Sequence, residues 1–325
     1  MKIKDRLRQW LFGLTIPQQY LCIDGDRFPN PLQTVVTLST THEPISIEHI
    51  FVGYKPVVLG FHDEGRVLGN GDLCLQFHQQ AFRPDSNWRG FPSARNVVAR
   101  MILSPIGETF RGFECVRLYQ AIRGQHKFLS SPYQHINRLR EHLVKPKPGN
   151  VNLPGELHDM VRIAYSLPRT IALVSVGTPK QLNVFPTDLH GKLNGQLYMS
   201  SLRIGGKAQQ QVEKERRIVL SKVGCDSFRE VYALGKNHMK DMSELMEFDL
   251  APNVSERYGV PLPANVLSYF ELEVMAWIDI GIHRIYLYKI ENEVKASHGG
   301  VLAHIHQYYA QWRHHHGMET NYLLR

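Results

Sequence analysis

The sequence contains no long hydrophobic run, and this absence argues against a membrane protein. Its apolar stretches, such as residues 171–176, have the length of a β-strand, whereas a transmembrane helix needs roughly 18 consecutive apolar residues. The first ten residues carry charges throughout and lack the apolar centre of a secretory signal. We therefore expect no membrane association and a cytoplasmic location.

Cysteine is also scarce. The four cysteines, Cys22, Cys74, Cys115 and Cys225, lie far apart and form no C-x-x-C pair. In a chain of 325 residues this pattern favours reduced, mostly buried thiols over a disulfide framework or a zinc site. Histidine is abundant, but the adjacent residues 314–316 cannot converge on one ion without partners held elsewhere. We predict no metal site.

Motifs for common nucleotide and hydrolase chemistry are missing. The sequence has no G-x-G-x-x-G fingerprint, no P-loop, no G-x-S-x-G and no H-E-x-x-H. The net charge is +8, yet there is no Lys/Arg block or aromatic-basic signature typical of nucleic-acid binding. A basic balance equally suits a phosphate-bearing cofactor. Nucleic acid is therefore the less favoured partner, and a small molecule the more favoured one.

A proline-rich and glycine-rich segment, residues 145–155, divides the chain. Its three prolines remove backbone donors and fix φ, so neither a helix nor a central strand continues through it. Helical patterns flank it over residues 134–143 and 156–165. We predict a strand-rich N-terminal domain over residues 1–150 and a second domain over residues 151–325.

The second domain is predicted to be mainly β with interspersed helices, an α+β class built on an antiparallel barrel or sandwich. Strands are predicted over 170–176, 196–200 and 218–223, with a polar helix over 207–217. Residues 270–280 alternate strictly in polarity, and after a turn at Gly281 residues 284–290 alternate again. This pattern predicts a hairpin of two long strands.

The N-terminal half is also strand-rich, with candidates over 34–38, 55–61, 73–77 and 97–103. It contains one short motif that is similar to a motif of the C-terminal half. The pair Phe113-Glu114 precedes Gly124-Gln-His126 at the spacing that separates Phe270-Glu271 from Gly281-Ile-His283. Either chance or an internal duplication explains this similarity. If duplication is the cause, the N-terminal half is a degenerate second barrel.

The C-terminal half holds a series of short motifs in a fixed order. They are Pro168 before a β-branched strand, a turn with Asn183, the run Pro186-Thr-Asp-Leu189, the strand end Ser200-Ser201, a polar helix, Gly259-Val-Pro261, Phe270-Glu271 and Gly281-Ile-His283. This order resembles the flavin reductase-like family, the FMN-binding split β-barrels, over about residues 165–310. The run with Thr187 and Asp188 departs from the Thr-x-Ser-Ser that this family often has.

The resemblance implies an FMN-binding oxidoreductase in which NAD(P)H donates hydride to the flavin. It implies that His283 lies near the flavin or nicotinamide as a catalytic residue, although a hairpin histidine that holds a carbonyl is an equal alternative. The family places the flavin at a dimer interface. We therefore expect either a homodimer or an internal pseudo-dimer formed with the N-terminal half.

Elementary chemistry adds a phosphate-binding hypothesis. A helix that begins at Gly206 and Lys207 offers free backbone N–H groups, the positive end of the helix dipole and an ammonium. The other candidate cofactor-binding residues are Asn183, Thr187, Asp188, Ser200, Ser201 and Arg203. Each also has an ordinary structural alternative, such as a plain helix start, a turn or a strand-end hydrogen bond.

Whether the chain is an enzyme is left open by these patterns. The leading hypothesis is a flavin reductase-like protein. The alternative is a non-catalytic split barrel, flavin-binding or flavin-less, that acts as a sensor or carrier.

Overall fold

The computed structural model describes residues 19–24, 32–41, 43–65, 67–79, 96–143, 151–178, 180–242, 250–317 and 322–324. Part of the proline-rich segment, residues 145–150, and the side chains of His314 and His315 lie outside the described parts. Within the described residues, no helix is both long and apolar enough to span a bilayer.

A seven-stranded antiparallel sheet forms the N-terminal half. Its order is β3-β2-β6-β7-β8-β5-β4. The strands are β2 (Leu32–Leu38), β3 (Pro44–Ile45), β4 (His49–Tyr54), β5 (Val57–His62), β6 (Leu73–Gln79), β7 (Val97–Pro105) and β8 (Val116–His126).

A second seven-stranded antiparallel sheet forms the C-terminal half. Its order is β11-β10-β14-β17-β18-β13-β12. The strands are β10 (Ala172–Gly177), β11 (Leu182–Thr187), β12 (His190–Lys192), β13 (Leu197–Arg203), β14 (Arg217–Val223), β17 (Val266–Ile280) and β18 (His283–Lys295).

The two sheets have the same strand order. Numbered within each half, both run second-first-fifth-sixth-seventh-fourth-third. We call residues 32–126 the first repeat and residues 172–295 the second repeat. They differ after the fourth strand, where the second repeat has helix α3 (Lys207–Glu215) and the described part of the loop over residues 63–72 has no helix. The predicted strand-rich α+β class is confirmed, and the shared order fits a degenerate second barrel.

The remaining elements surround these sheets. A four-stranded sheet has the order β20-β1-β19-β9 and joins both ends of the chain. The elements are β1 (Gln19–Asp24), β9 (Arg169–Thr170), β19 (Gly300–Ile305), β20 (Tyr322–Leu324), the pair β15 (Leu250–Val254) and β16 (Pro261–Pro263), and helices α1 (Ser131–Leu143), α2 (Glu156–Ala164), α4 (Phe228–Leu234) and α5 (Gln307–His315).

The alternating strand β17 serves two cores. Phe270, Leu272 and Val274 pack inside the second repeat. Farther along the same strand, Ile278 and Ile280 are buried against residues of the first repeat. The alternation in the sequence predicts one apolar face, and this prediction is wrong for the end of the strand. A β-bulge lies between Val274, which pairs with Tyr288, and Ala276, which pairs with the neighbouring Leu287. The bulge moves the later apolar side chains to the opposite face of the sheet, where they contact the other repeat.

Equivalent strands of the two repeats meet each other. A Cβ on Gly191 of β12 would lie 2.9 Å from Cγ1 of Ile50 on β4, which holds the same place in the order. A Cβ on Gly60 of β5 would lie 2.6 Å from Sδ of Met199 on β13, again the equivalent strand. Like elements meet across a two-fold interface in the same way in a symmetric dimer.

Two details differ from sequence-based expectation. Gly124 and His126 lie at the end of the seventh strand of the first repeat. Gly281 and His283 lie just before and at the beginning of the seventh strand of the second repeat. The two similar motifs therefore do not occupy equivalent positions. Helix α2 follows the predicted boundary, yet its Met160 and Ile163 belong to the core of the first repeat.

The expectation of four reduced cysteines is wrong, because a disulfide takes two of them. Cys74 and Cys115 are free, whereas Cys225 is disulfide-bonded. Its partner lies outside the described side chains. Wide spacing along the sequence does not prevent two thiols from meeting once distant segments pair in a sheet.

Candidate functional site

Two β-turns meet where the repeats join. The turn between β17 and β18 packs on the turn between β4 and β5, and the N–H of Ile282 donates to the carbonyl of Lys55 at 3.1 Å. Gly281 has φ +59°, and a Cβ there would lie 2.2 Å from that carbonyl oxygen. Glycine is therefore required here by both backbone conformation and close approach.

His283 lies directly behind this contact and is buried, with 2% of its surface exposed. Its ring packs edge-on against Tyr54 with the centroids 4.5 Å apart, and its Nε2 accepts the N–H of Tyr54 at 3.4 Å. Burial, and then the charge of Arg203, lower the pKa of His283 to about 4. His283 is thus a neutral ring between the repeats, and its predicted catalytic role stays a prediction.

The predicted flavin partner Asn183 is buried and bonded to its own protein. Its Nδ2 donates to Oε1 of Gln211 at 2.7 Å and to the carbonyl of Asn237 at 3.0 Å, with a longer contact of 3.4 Å to the carbonyl of Lys240. These bonds tie β11 to α3 and to the short 3-10 helix Asn237–Met239. The amide nitrogen is therefore fully used within the fold.

The predicted hydroxyl donors divide into two kinds. The Ser200 hydroxyl donates to the Tyr288 hydroxyl at 3.1 Å, and Oγ1 of Thr187 accepts the N–H of Leu189 at 3.2 Å. Among the described residues, the buried hydroxyl of Ser201 has no hydrogen-bond partner. The Ser201 hydroxyl can therefore bond a ligand without breaking a bond within the protein.

The predicted phosphate-binding site lies at the start of α3. Gly206 is the N-cap and receives no side-chain cap from the described residues, so the first N–H groups of the helix lack intrahelical partners. However, Nζ of Lys207 pairs with Oδ1 of Asp241 at 2.9 Å, and the carbonyl of His238 would lie 3.1 Å from a Cβ on Gly206. The chain thus places a carboxylate of its own beside the lysine. Arg203 lies at the strand end nearby and is half-buried.

Asp188 takes part in a different, interior cluster. Its Oδ2 accepts from Nδ1 of His304 at 3.0 Å. Burial by itself would raise the pKa of Asp188, but the bond from His304 and the nearby charges of His304 and Arg169 outweigh it and hold the pKa far below its usual range. Asp188 is therefore an ionised, paired carboxylate.

A cavity of about 280 Å³ lies between the repeats beside this cluster. Its apolar walls come from the first repeat and α2, and its polar walls from both repeats and β9. The lining residues are His49, Ile50, Phe51, Leu59, Leu75, Phe77, Met101, Ala164, Leu167, Pro168, Arg169, Thr170, Asp188, His190 and Gly191. Burial is the main cause that lowers the pKa of His49 and of His190 to about 4, so both rings are neutral near pH 7.

The sequence motifs do not include Arg169, Tyr54 and Phe51, which make close contacts between the repeats. Arg169 had one available signal, because a charged residue between Pro168 and an apolar strand is unusual at a buried strand start. Tyr54 and Phe51 belong to the first repeat, where no motif marked them. Within the described residues, no group of three or more His, Cys, Asp or Glu is arranged to hold a metal ion.

These residues do not fit a flavin as a set. The amide of Asn183 and the hydroxyls of Ser200 and Thr187 have protein partners, and Lys207 faces Asp241 rather than an open seat. Asp188 lines the cavity and Lys207 does not, so the predicted phosphate site and the cavity are separate. No reaction step through a flavin is therefore derived.

Comparison with known proteins gives limited similarity. No protein-family model matches this chain, and no curated protein matches it. Among solved structures, the chain is similar to the Streptomyces globisporus C-1027 NADH:FAD oxidoreductase SgcE6, with 15% identity, 50% of this chain and 96% of that chain covered, and a TM-score of 0.41.

Two further solved structures give the same picture. The FMN-binding protein from Thermus thermophilus with bound 1-cyclohex-2-enone is 20% identical over 47% of this chain and 80% of its own, with a TM-score of 0.36. BorF, the flavin reductase component of a bacterial two-component tryptophan halogenase, is 15% identical over 47% of this chain and 94% of its own, with a TM-score of 0.40. Similarity at this level says nothing about what this chain binds.

Proposed function

We propose that this chain is a flavin-less, non-catalytic protein of split-barrel type, built as an internal pseudo-dimer, that acts as a sensor or carrier of a small molecule. The observation that carries the proposal is the internal pairing of the groups expected to hold FMN. Asn183 alone bonds to two separate segments, so binding a ligand through its amide would break its hydrogen bonds to α3 and to the 3-10 helix.

The pseudo-dimer part of the proposal is supported by the shared strand order and the contact between equivalent strands. The apolar interface between the repeats includes Val52, Val58 and Leu118 from the first and Ile285 and Leu287 from the second. Burial of such side chains is the main favourable term in association. One chain thereby supplies the surface that a dimer of single barrels would supply with two.

The test is a fluorescence titration of the purified protein with FMN, repeated on Lys207→Glu and Asp241→Asn. We expect no saturable quenching of FMN by any of the three proteins. Saturable quenching by the wild type that Lys207→Glu abolishes would overturn the proposal, because it would place a phosphate at the start of α3.

A second candidate is the FMN-binding oxidoreductase in which NAD(P)H reduces the flavin. The uncapped start of α3 and the unpartnered hydroxyl of Ser201 favour it, since both could bond an incoming ligand. Bleaching of bound flavin by NADH without oxygen would select this candidate. His283→Ala would then be expected to lower turnover.

A further inference from the structure

We propose that the cavity between the repeats binds a small aromatic carboxylate, with the carboxylate on Arg169 and the ring among the apolar side chains of the first repeat. This inference rests on the proposed role as a carrier or sensor, and it names the class of ligand and the site.

Much of the lining of the cavity is apolar. Leu59, Leu75, Phe77 and Met101 line it and belong to the core of the first repeat, where each is almost completely buried. Ala164 and Leu167, at and after the end of α2, complete this wall. Such a surface binds a hydrocarbon or aromatic body and offers it no polar group.

The lining also includes the guanidinium of Arg169, which the protein leaves partly unsatisfied. One terminal nitrogen of Arg169 donates to the carbonyl of Ala164 at 3.3 Å, whereas its buried Nε has no hydrogen-bond partner among the described residues. Cζ lies 3.7 Å from the ring centroid of Phe51 and 4.7 Å from that of Tyr165. Rings stacked on a guanidinium leave its in-plane N–H groups for an acceptor, and a carboxylate matches that fork.

The negative charge of Asp188 acts on Arg169 and disfavours a highly charged ligand. Burial lowers the pKa of Arg169, and Asp188 opposes that effect by its charge. The same carboxylate lines the cavity and would repel a dianion such as a phosphate monoester. His49 and His190, on the same walls, add no compensating charge because burial keeps them neutral near pH 7. A monoanionic carboxylate therefore suits the site better than a phosphate.

The volume of the cavity limits the size of the ligand. About 280 Å³ lies just below the usual range for drug-sized ligands. A single ring with a short acidic group is smaller than a drug-sized ligand and suits this volume.

The test uses benzoate as the probe and benzamide as its neutral, nearly isosteric counterpart, with isothermal titration calorimetry on the full chain. We expect saturable binding of benzoate, and binding of benzamide that is weaker by about tenfold or more, because the neutral amide gives Arg169 no charge-assisted bond. Arg169→Gln should weaken benzoate by a similar factor. The matched control Arg123→Gln removes an exposed arginine on β8 and should leave binding unchanged.

If Arg169→Gln fails to fold, Ala164→Leu gives an independent answer, since the larger side chain fills the cavity without removing a charge. It should abolish benzoate binding while circular dichroism stays native. Absence of benzoate binding to the wild type would overturn the inference, as would unchanged affinity in a folded Arg169→Gln or Ala164→Leu. The FMN titration of the same preparation decides the proposed function separately, because FMN uptake would refute that function whatever benzoate does.

Discussion

At the scale of single residues, Asn183 links three segments through one buried amide. Asn183→Ala would take a buried donor from Oε1 of Gln211 and would leave the carbonyl of Asn237 with the N–H of Lys240. We expect a loss of about 2 kcal/mol or more in the free energy of unfolding, measured by urea denaturation.

The matched control for that substitution is Asn253→Ala, which removes an exposed asparagine on β15 and should change the stability by less than about 0.5 kcal/mol. Equal stability of Asn183→Ala and the wild type would contradict the structural role given to this amide and would return Asn183 to the ligand-binding candidates.

Three buried histidines predict how stability depends on pH. The pKa values of His49, His190 and His283 fall to about 4 in the folded protein, mainly through burial, against about 6.5 in an unfolded chain. The unfolded state therefore binds more protons between these values, and the free energy of unfolding falls as the pH drops from about 6.5 to about 4. Each histidine contributes on the order of 1–3 kcal/mol to this loss.

The histidine origin of that slope can be tested with His190→Gln, which should make stability less dependent on pH in this window. The exposed His298 provides the control variant His298→Gln. Asp188 and Asp159 do not interfere, because carboxylates with a lowered folded pKa lose their contribution only near and below their unfolded pKa of about 3.9. A flat profile from pH 7 to pH 4 would refute the argument.

At the scale of elements, the docking of two turns depends on Gly281. Gly69 has the same φ of +59°, but a Cβ there would meet nothing within 4 Å, whereas at Gly281 the carbonyl oxygen of Lys55 would be 2.2 Å away. Gly69→Ala should therefore destabilise by backbone strain alone, about 1–2 kcal/mol. Gly281→Ala should destabilise by that amount plus about 1–3 kcal/mol of overpacking, in urea denaturation of both variants. Equal losses would show that the turns do not touch as described.

Elements were predictable where sequence pattern is local. The alternation of residues 270–280 predicted most of β17, and the polar run from residue 207 predicted α3, because both patterns lie within one continuous stretch of sequence. The strands β4 and β8 were missed. In β8 the apolar face gives way to exposed Ile122 and Arg123, so its pattern does not alternate over its full length.

At the scale of the whole molecule, each repeat buries the apolar surface that a single barrel would bury against a second subunit. We therefore expect a monomer of 37.4 kDa in light scattering after gel filtration, because the apolar interface strands are buried within one chain. A stable dimer at micromolar concentration would show that a further surface drives association.

The arrangement of the site was less predictable than the fold, for a physical reason. Asn183, Ser200 and Lys207 stand at the positions expected from the motifs, but their partners Gln211, Tyr288 and Asp241 are ordinary residues whose positions depend on tertiary packing. Whether a polar group is free or satisfied is decided by such long-range contacts. Sequence motifs therefore predict where the hydrogen-bond donors lie, but they do not predict which acceptors those donors bind.

The most direct measurement of the central claim is the flavin content of the protein as purified. The protein would be isolated without added flavin, denatured, and its supernatant assayed for flavin fluorescence against the protein concentration. The account predicts a colourless protein that releases no stoichiometric flavin. Release of about one flavin per chain would contradict it and establish a cofactor site.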